Sequence, residues 1–177
     1  MRIIHGEHSG RRINIPKILR ARPTTDQARE NLFNILMNRY DMTTLRVLDL
    51  FAGTGSISYE FASLGCLDVI SIENDRFHVA AIQKNCEVIG LSAIKVIRTN
   101  VFRFISKPNR QFDIIFADPP YDIPKLDDIP DLVLNSGCLV NKGLFILEHG
   151  PSNNFKDHLS WQETRKYGKV HFSFFTI

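Results

Sequence analysis

Apolar residues recur along this chain in short runs of strand length, at 46–51, 68–73, 94–97, 112–117 and 143–148. Helix-compatible segments separate them, at 56–64, 76–89, 101–106 and 126–134. Gly65 and Gly90 stand where the first two of these helices would close. In the second, Ala80, Ala81, Lys84 and Val88 are read as the faces that pack on a sheet. Strand and helix in strict alternation predict an α/β fold with a parallel, doubly wound sheet. Two β-rich runs, 161–167 and 170–177, meet at Gly168 and predict an antiparallel hairpin at one sheet edge. Ahead of the alternation lies an amphipathic helix from about Thr25 to Tyr40, with Ala28, Leu32, Ile35 and Leu36 as its apolar stripe. Thr24 and Gln27 match a capping box for it. Arg29 lies one position around from the stripe, facing a ligand or water. Residues 1–6 and 11–15 predict a hairpin with Gly10 in its turn, and 17–23 an irregular basic linker.

Charge changes this picture more than composition does. The 177 residues are 44% hydrophobic and 23% charged, which suits one globular domain with a real core. The net charge is only +3. Residues 1–22, however, hold Arg2, Arg11, Arg12, Lys17, Arg20 and Arg22 against Glu7 alone. That segment is +5 and the remaining 155 residues are −2. A basic arm on a near-neutral body is the electrostatic footprint of a nucleic-acid partner. No apolar stretch reaches membrane-span length and no signal-peptide pattern opens the chain. Cys66, Cys86 and Cys138 are odd in number and widely spaced, as reduced cytoplasmic thiols are. The six histidines show no metal spacing with cysteines or acids, so no metal is expected.

Candidate chemistry begins where strand 46–51 breaks into Ala52-Gly53-Thr54-Gly55 and then becomes helical. Two glycines permit positive φ and a close ligand, and the helix N-terminus behind them offers N–H groups to an anionic group. Ser58 stands where a dinucleotide fingerprint needs its last glycine, and Asp49 would repel a pyrophosphate. Asp49 suits an ammonium or sulfonium instead. Glu73 follows Gly53 by 20 residues, the spacing that places an acid on ribose hydroxyls. A ligand with a ribose, a positive centre and no phosphate is S-adenosylmethionine.

The second motif is Asp118-Pro119-Pro120-Tyr121, at the C-terminal end of strand 112–117. Ligands of open α/β sheets bind outside that end. An exocyclic base amine is a poor nucleophile because its lone pair is delocalised into the ring. Acceptors on its two hydrogens, the Asp118 carboxylate and the Pro119 carbonyl, favour a pyramidal nitrogen. The two prolines stiffen the segment, and Tyr121 offers a face on which an extruded base can stack. Glu148-His149, at the end of the fifth strand, reads as capping rather than pocket wall. Phe172, Phe174 and Phe175 read as core.

Together these features resemble the RsmD-type methyltransferases that modify N2 of a guanine in bacterial 16S ribosomal RNA. The likeness runs through Met1-Arg-Ile-Ile, Gly10-Arg11, Arg22-Pro-Thr24, Arg29-Glu30, Leu32-Phe33, Asp49-Leu-Phe-Ala-Gly-Thr-Gly55, Glu73, Asn85, Asp118-Pro-Pro-Tyr121 and Phe172-Ser-Phe-Phe175. It implies a Rossmann-like class I methyltransferase, with a seven-stranded, mostly parallel sheet and a hairpin arm. The arm is 1–23 and the methyltransferase domain 24–177. The implied substrate is guanine 966 in 16S ribosomal RNA or a 30S assembly intermediate, met by a cytoplasmic monomer. By the same resemblance Asp49, Phe51, Gly53, Gly55, Glu73, Asn74, Asn100 and Val101 hold S-adenosylmethionine. Asp118, Pro119, Pro120 and Tyr121 hold the base. Arg11, Arg12, Arg22 and Arg29 meet RNA phosphates or close the pocket. Asn100 stands where similar enzymes carry Asp, which weakens the expected acceptor for the adenine amine.

Asp-Pro-Pro-Tyr serves any planar amine. An adenine-N6 nucleic-acid methyltransferase, a glutamine-N5 protein methyltransferase and a non-catalytic RNA-binding scaffold are therefore the alternatives. The basic arm argues against a peptide substrate, and Ser58 with Asp49 against a nucleotide-dependent oxidoreductase.

Overall fold

The structure, a computed structural model, describes residues 1–16, 25–120, 123–124 and 126–177. Helix α1 spans Asp26–Arg39. Its cap is Thr25, whose hydroxyl accepts from the Ala28 amide, one residue later than the capping-box reading placed it. Thr24 lies outside the described residues, as does the 17–23 linker. The alternation then runs β1 Arg46–Leu50, α2 Ser56–Ser63, β2 Asp68–Glu73, α3 Arg76–Ile89, β3 Ile94–Arg98, α4 Val101–Ile105, β4 Phe112–Ala117, α5 Ile129–Leu134 and β5 Leu139–His149. Strands β6 (Trp161–Tyr167) and β7 (Val170–Thr176) complete the chain.

All seven strands form one sheet in the order β3-β2-β1-β4-β5-β7-β6. The first five are parallel, and β7 and β6 are antiparallel at one edge, as the sequence predicts. One core lies on each face. Val47, Val69, Ile114 and Ile146 pack under α1, α2 and α3, and Leu48, Ile70, Ile115 and Phe145 face the opposite core with α5. Phe172, Phe174 and Phe175 are buried.

Four local differences have physical causes. The buried stripe of α3 is Val79, Ile82, Asn85 and Ile89, while Ala80, Lys84 and Val88 face solvent. Asn85 is buried because its amide bonds the backbone of Asn14 both ways. The expected helix 126–134 splits into a 3-10 turn, Leu126–Asp128, and α5, because Pro130 belongs in a first helical turn. Strand β5 begins four residues early: Leu139 pairs with Phe112 before a bulge at which Lys142 takes φ 60°. The N-terminal hairpin is reduced to a single bridge, Arg2 to Arg12, flanked by backbone bonds from Ile3 to Arg11 and Ile13 to Met1. It docks by burying Ile3 and Ile13 in the core below α2. Among the described residues no helix is long and apolar enough to cross a membrane.

Candidate active site

Strand β1 lies between β2 and β4: the chain runs from β1 out to β2 and β3 on one side, then crosses back to β4 on the other. That is the switch point at which such sheets open a crevice. Leu50 pairs with Ala117, so the glycine loop and the Asp118 segment leave adjacent strands side by side. Phe51 begins the loop at φ 61°, a conformation unusual for a large side chain. Its neighbours enforce it: the Ala52 amide donates to Ile72 O at 2.9 Å, and the Gly55 amide to Ala52 O at 2.7 Å.

The loop then meets Glu73 at the end of β2. One Glu73 oxygen accepts the Gly53 amide at 2.7 Å, and the other accepts the Asp75 amide at 2.8 Å. Two backbone donors fix this carboxylate at the mouth of β2. Each of its oxygens keeps lone pairs for hydroxyl donors.

These residues border one cavity of about 1060 Å³, spacious for a small-ligand site. Phe51, Gly53, Glu73, Asn74, Asn100 and Val101 line one half of it. Asp118, Pro119 and Pro120 line the other, together with Glu148 of β5. Thr25 and Gln27 at the start of α1 and the β6–β7 turn at 167–170 also line it. Asn100 caps α4, its side-chain oxygen accepting from the Arg103 amide at 3.2 Å. Among the described residues no group of three or more His, Cys, Asp or Glu is placed to hold a metal.

Three expected site residues are elsewhere. Asp49 is 1% exposed and off the cavity wall, accepting from Ser58 Oγ at 2.5 Å. Alternation along β1 turns it to the face that α2 covers. Burial pushes its carboxyl up to about 7; the Ser58 hydrogen bond opposes the rise and the Glu73 charge adds to it. Gly55 also stands behind the wall. A Cβ there would come within 2.9 Å of the Tyr59 ring, so this glycine serves helix packing. Arg29, expected at RNA phosphates or the pocket, is fully buried. It is bound to Glu60, Asp26 and the Arg2 carbonyl, so it is a structural ion and no phosphate can reach it. Arg11 and Arg12 are exposed on the arm. Tyr121 and Arg22 lie outside the described residues.

The cavity also holds residues that sequence reading set aside. Glu148 is pocket wall, not mere capping. Its position at the C-terminal end of a parallel strand was the available signal. The 167–170 turn carried none, because an antiparallel edge gives no reason to expect its turn over the crevice.

Gly53 gives a direct test of the pocket. Its φ is 54°, and an added Cβ would meet only Phe51 O, at 3.8 Å. The protein has room for the side chain, which would occupy cavity space that a bound cofactor needs. Gly53→Val is expected to weaken cofactor binding at least about 100-fold, through strain at positive φ and lost space. Calorimetric titration checks it, and unchanged affinity would remove this loop from the site.

Comparison with known proteins places the chain. The family model described as Conserved hypothetical protein 95 matches residues 1–176. Ribosomal RNA small subunit methyltransferase D of Buchnera aphidicola subsp. Baizongia pistaciae is 30% identical, over 99% of this chain and 91% of that one. The protein of that name from Escherichia coli K12 is 31% identical, over 86% and 76%. Among solved structures, a hypothetical protein of Thermus thermophilus superposes with TM-score 0.88 at 29% identity, covering 100% of this chain and 99% of that one. A putative methyltransferase from Escherichia coli does so with TM-score 0.86 at 29% identity, covering 99% and 96%. A sheet order, a cavity and a relationship that spans nearly the whole of this chain agree: this chain belongs to the ribosomal RNA small subunit methyltransferase D family.

Proposed function

We propose that this chain transfers a methyl group from S-adenosylmethionine to the exocyclic N2 amine of a guanine in small-subunit ribosomal RNA. The family resemblance makes that guanine 966, on 16S RNA or a 30S assembly intermediate, in the cytoplasm. One observation carries the reading. Gly53 and Glu73 on one side, and Asp118 with two prolines on the other, open into the same cavity from adjacent strands. The names of the relatives support ribosomal RNA as the substrate.

The residues present fit the cofactor. The Glu73 carboxylate suits ribose hydroxyls, and apolar Phe51, Ile72, Val101 and Phe102 suit a purine face. The absent side chain of Gly53 leaves open space beside them. When bound, S-adenosylmethionine supplies a methyl carbon activated by its sulfonium. The protein then has mainly to position the amine. Asp118 accepts one N2 hydrogen and the Pro119 carbonyl the other, which draws the lone pair out of ring conjugation. Asp118 is also in place to take the proton that N2 sheds once it carries the methyl. Pro119 is buried and the Asp118 amide bonds back to Leu50 O, so the acceptors are held by the sheet rather than by a free loop.

Mass mapping of 16S RNA from cells lacking this protein tests the reading. One guanine is expected to lose a methyl, and incubation with purified protein and S-adenosylmethionine to restore it. Loss at an adenine, or at no ribosomal nucleotide, would overturn the proposal.

The arm is the proposed RNA contact. Arg2, Arg11 and Arg12 are exposed on it, and the Arg2–Arg12 pairing is made by backbone, which side-chain changes spare. Neutralising Arg11 and Arg12 together is expected to weaken RNA binding and lower its salt slope by about two, roughly one per lost phosphate contact. Filter binding across a salt series measures it, and an unaltered slope would exclude the arm.

A further inference from the structure

We propose that Glu148 identifies the target base as guanine, its carboxylate accepting the ring N1–H that lies beside the methylated amine. This inference rests on the guanine-N2 reading above. It begins with the place of Glu148 across the sheet. Glu73 ends β2 and Glu148 lies near the end of β5, with β1 and β4 between them. Neighbouring strands are about 4.8 Å apart, so the two carboxylates stand roughly 14 Å from each other. Glu73 takes the cofactor half of the cavity, and Glu148 stands on the other side of β4, in the half with Asp118.

Within that half, Glu148 is the neighbour of Asp118. Ala117 of β4 pairs with Leu147 of β5, so Asp118 and Glu148 are the next residues along two adjacent parallel strands. Both line the cavity, and Glu148 is only 3% exposed. A carboxylate offers about four lone-pair sites, so it can accept a base N–H in addition to the contacts it makes within the fold. Enclosure strengthens such a bond, because little water competes for it.

The base edge supplies the discrimination. Guanine presents N1–H and the N2 amine as adjacent donors, which a row of acceptors satisfies. Adenine places the N1 lone pair next to its N6 amine, and glutamine places a carbonyl oxygen next to its N5 amine. Each would set an acceptor against the Glu148 carboxylate. Asp118 and Pro119 serve all three amines alike, and Glu148 is the group that separates them.

The test uses target RNA with guanosine or 2-aminopurine at the methylated position, since 2-aminopurine keeps the amine and lacks N1–H. The wild-type protein is expected to lose at least about 100-fold in kcat/KM on 2-aminopurine. Glu148→Gln, whose amide can donate to the bare ring nitrogen, is expected to lose activity on guanosine and bring the two substrates within about 10-fold. S-Adenosylmethionine affinity unchanged within about 3-fold would show the variant folded, because Glu148 lies outside the cofactor half. A wild-type protein that uses both bases equally overturns the inference, with or without a folded variant. So does a Glu148→Gln protein that keeps the wild-type preference. In both cases methylation of guanosine leaves the N2 reading standing. Wild-type protein that puts no methyl on guanosine N2 removes that reading, and the inference falls with it.

Discussion

Asp118→Ala is expected to lower kcat about 1000-fold while S-adenosylmethionine affinity stays within a few-fold. A positioned acceptor that acts on the amine and then takes its proton contributes on the order of 10²–10⁴ in rate. The separation of effects follows from topology. Asp118 leaves β4, whereas the groups assigned to the cofactor belong to the β1 loop, the end of β2 and the start of α4. Truncating Asp118 leaves the residues of those elements in place. Asp118→Asn keeps one acceptor oxygen and loses the proton site, so its rate should fall between wild type and alanine. Single-turnover methyl incorporation with calorimetric cofactor binding measures both quantities. Near-normal turnover by the alanine variant would end the assignment. A matching loss of cofactor affinity would instead place Asp118 in the other half of the cavity.

Those two halves were legible in the sequence to different degrees. Strand positions were readable because parallel strands buried on both faces are continuous apolar runs, and β2 and β4 have the bounds read for them. The place of Glu73 and Asp118 on the cavity wall was readable because each stands at the end of such a run, and ends of parallel strands face the crevice. Asp49 was misread for a reason of scale. It lies only four residues from Gly53, but alternation within β1 sends it through the sheet to Ser58. Arg29 was misread because cations are rarely buried whole, and its partner Glu60 is 31 residues away on another helix. A helical stripe cannot announce a tertiary ion pair. The turn at 167–170 was invisible for a similar reason: what it covers depends on how β6 and β7 fold back over the cavity, not on its own residues.

Arg29 therefore gives the second large effect, on stability. Arg29→Met should lower stability by about 3–5 kcal/mol, the usual cost of leaving one member of a buried pair uncompensated. In a protein of this size that is a fall in Tm on the order of 10 °C. Glu60 is the reason. It is buried, and its two oxygens accept the Ile4 amide at 2.8 Å, the His5 amide at 3.0 Å and Arg29 Nε at 3.1 Å. One carboxylate thus fastens the arm to α2, and Arg29 of α1 balances its charge while also holding the Arg2 carbonyl at 2.9 Å. Removing the cation strands a buried anion and loosens the arm together. Adding Glu60→Gln removes that anion and keeps one acceptor for the arm, so the double variant should recover much of the loss. Calorimetric unfolding of wild type, both single variants and the double variant gives the coupling. Hydrogen exchange over residues 1–16 should rise in Arg29→Met. The phosphate-contact role predicts the reverse pattern: Tm unmoved, exchange unmoved and a salt slope for RNA binding lower by about one. That result would return Arg29 to the RNA surface and leave the docking of the arm without its explanation.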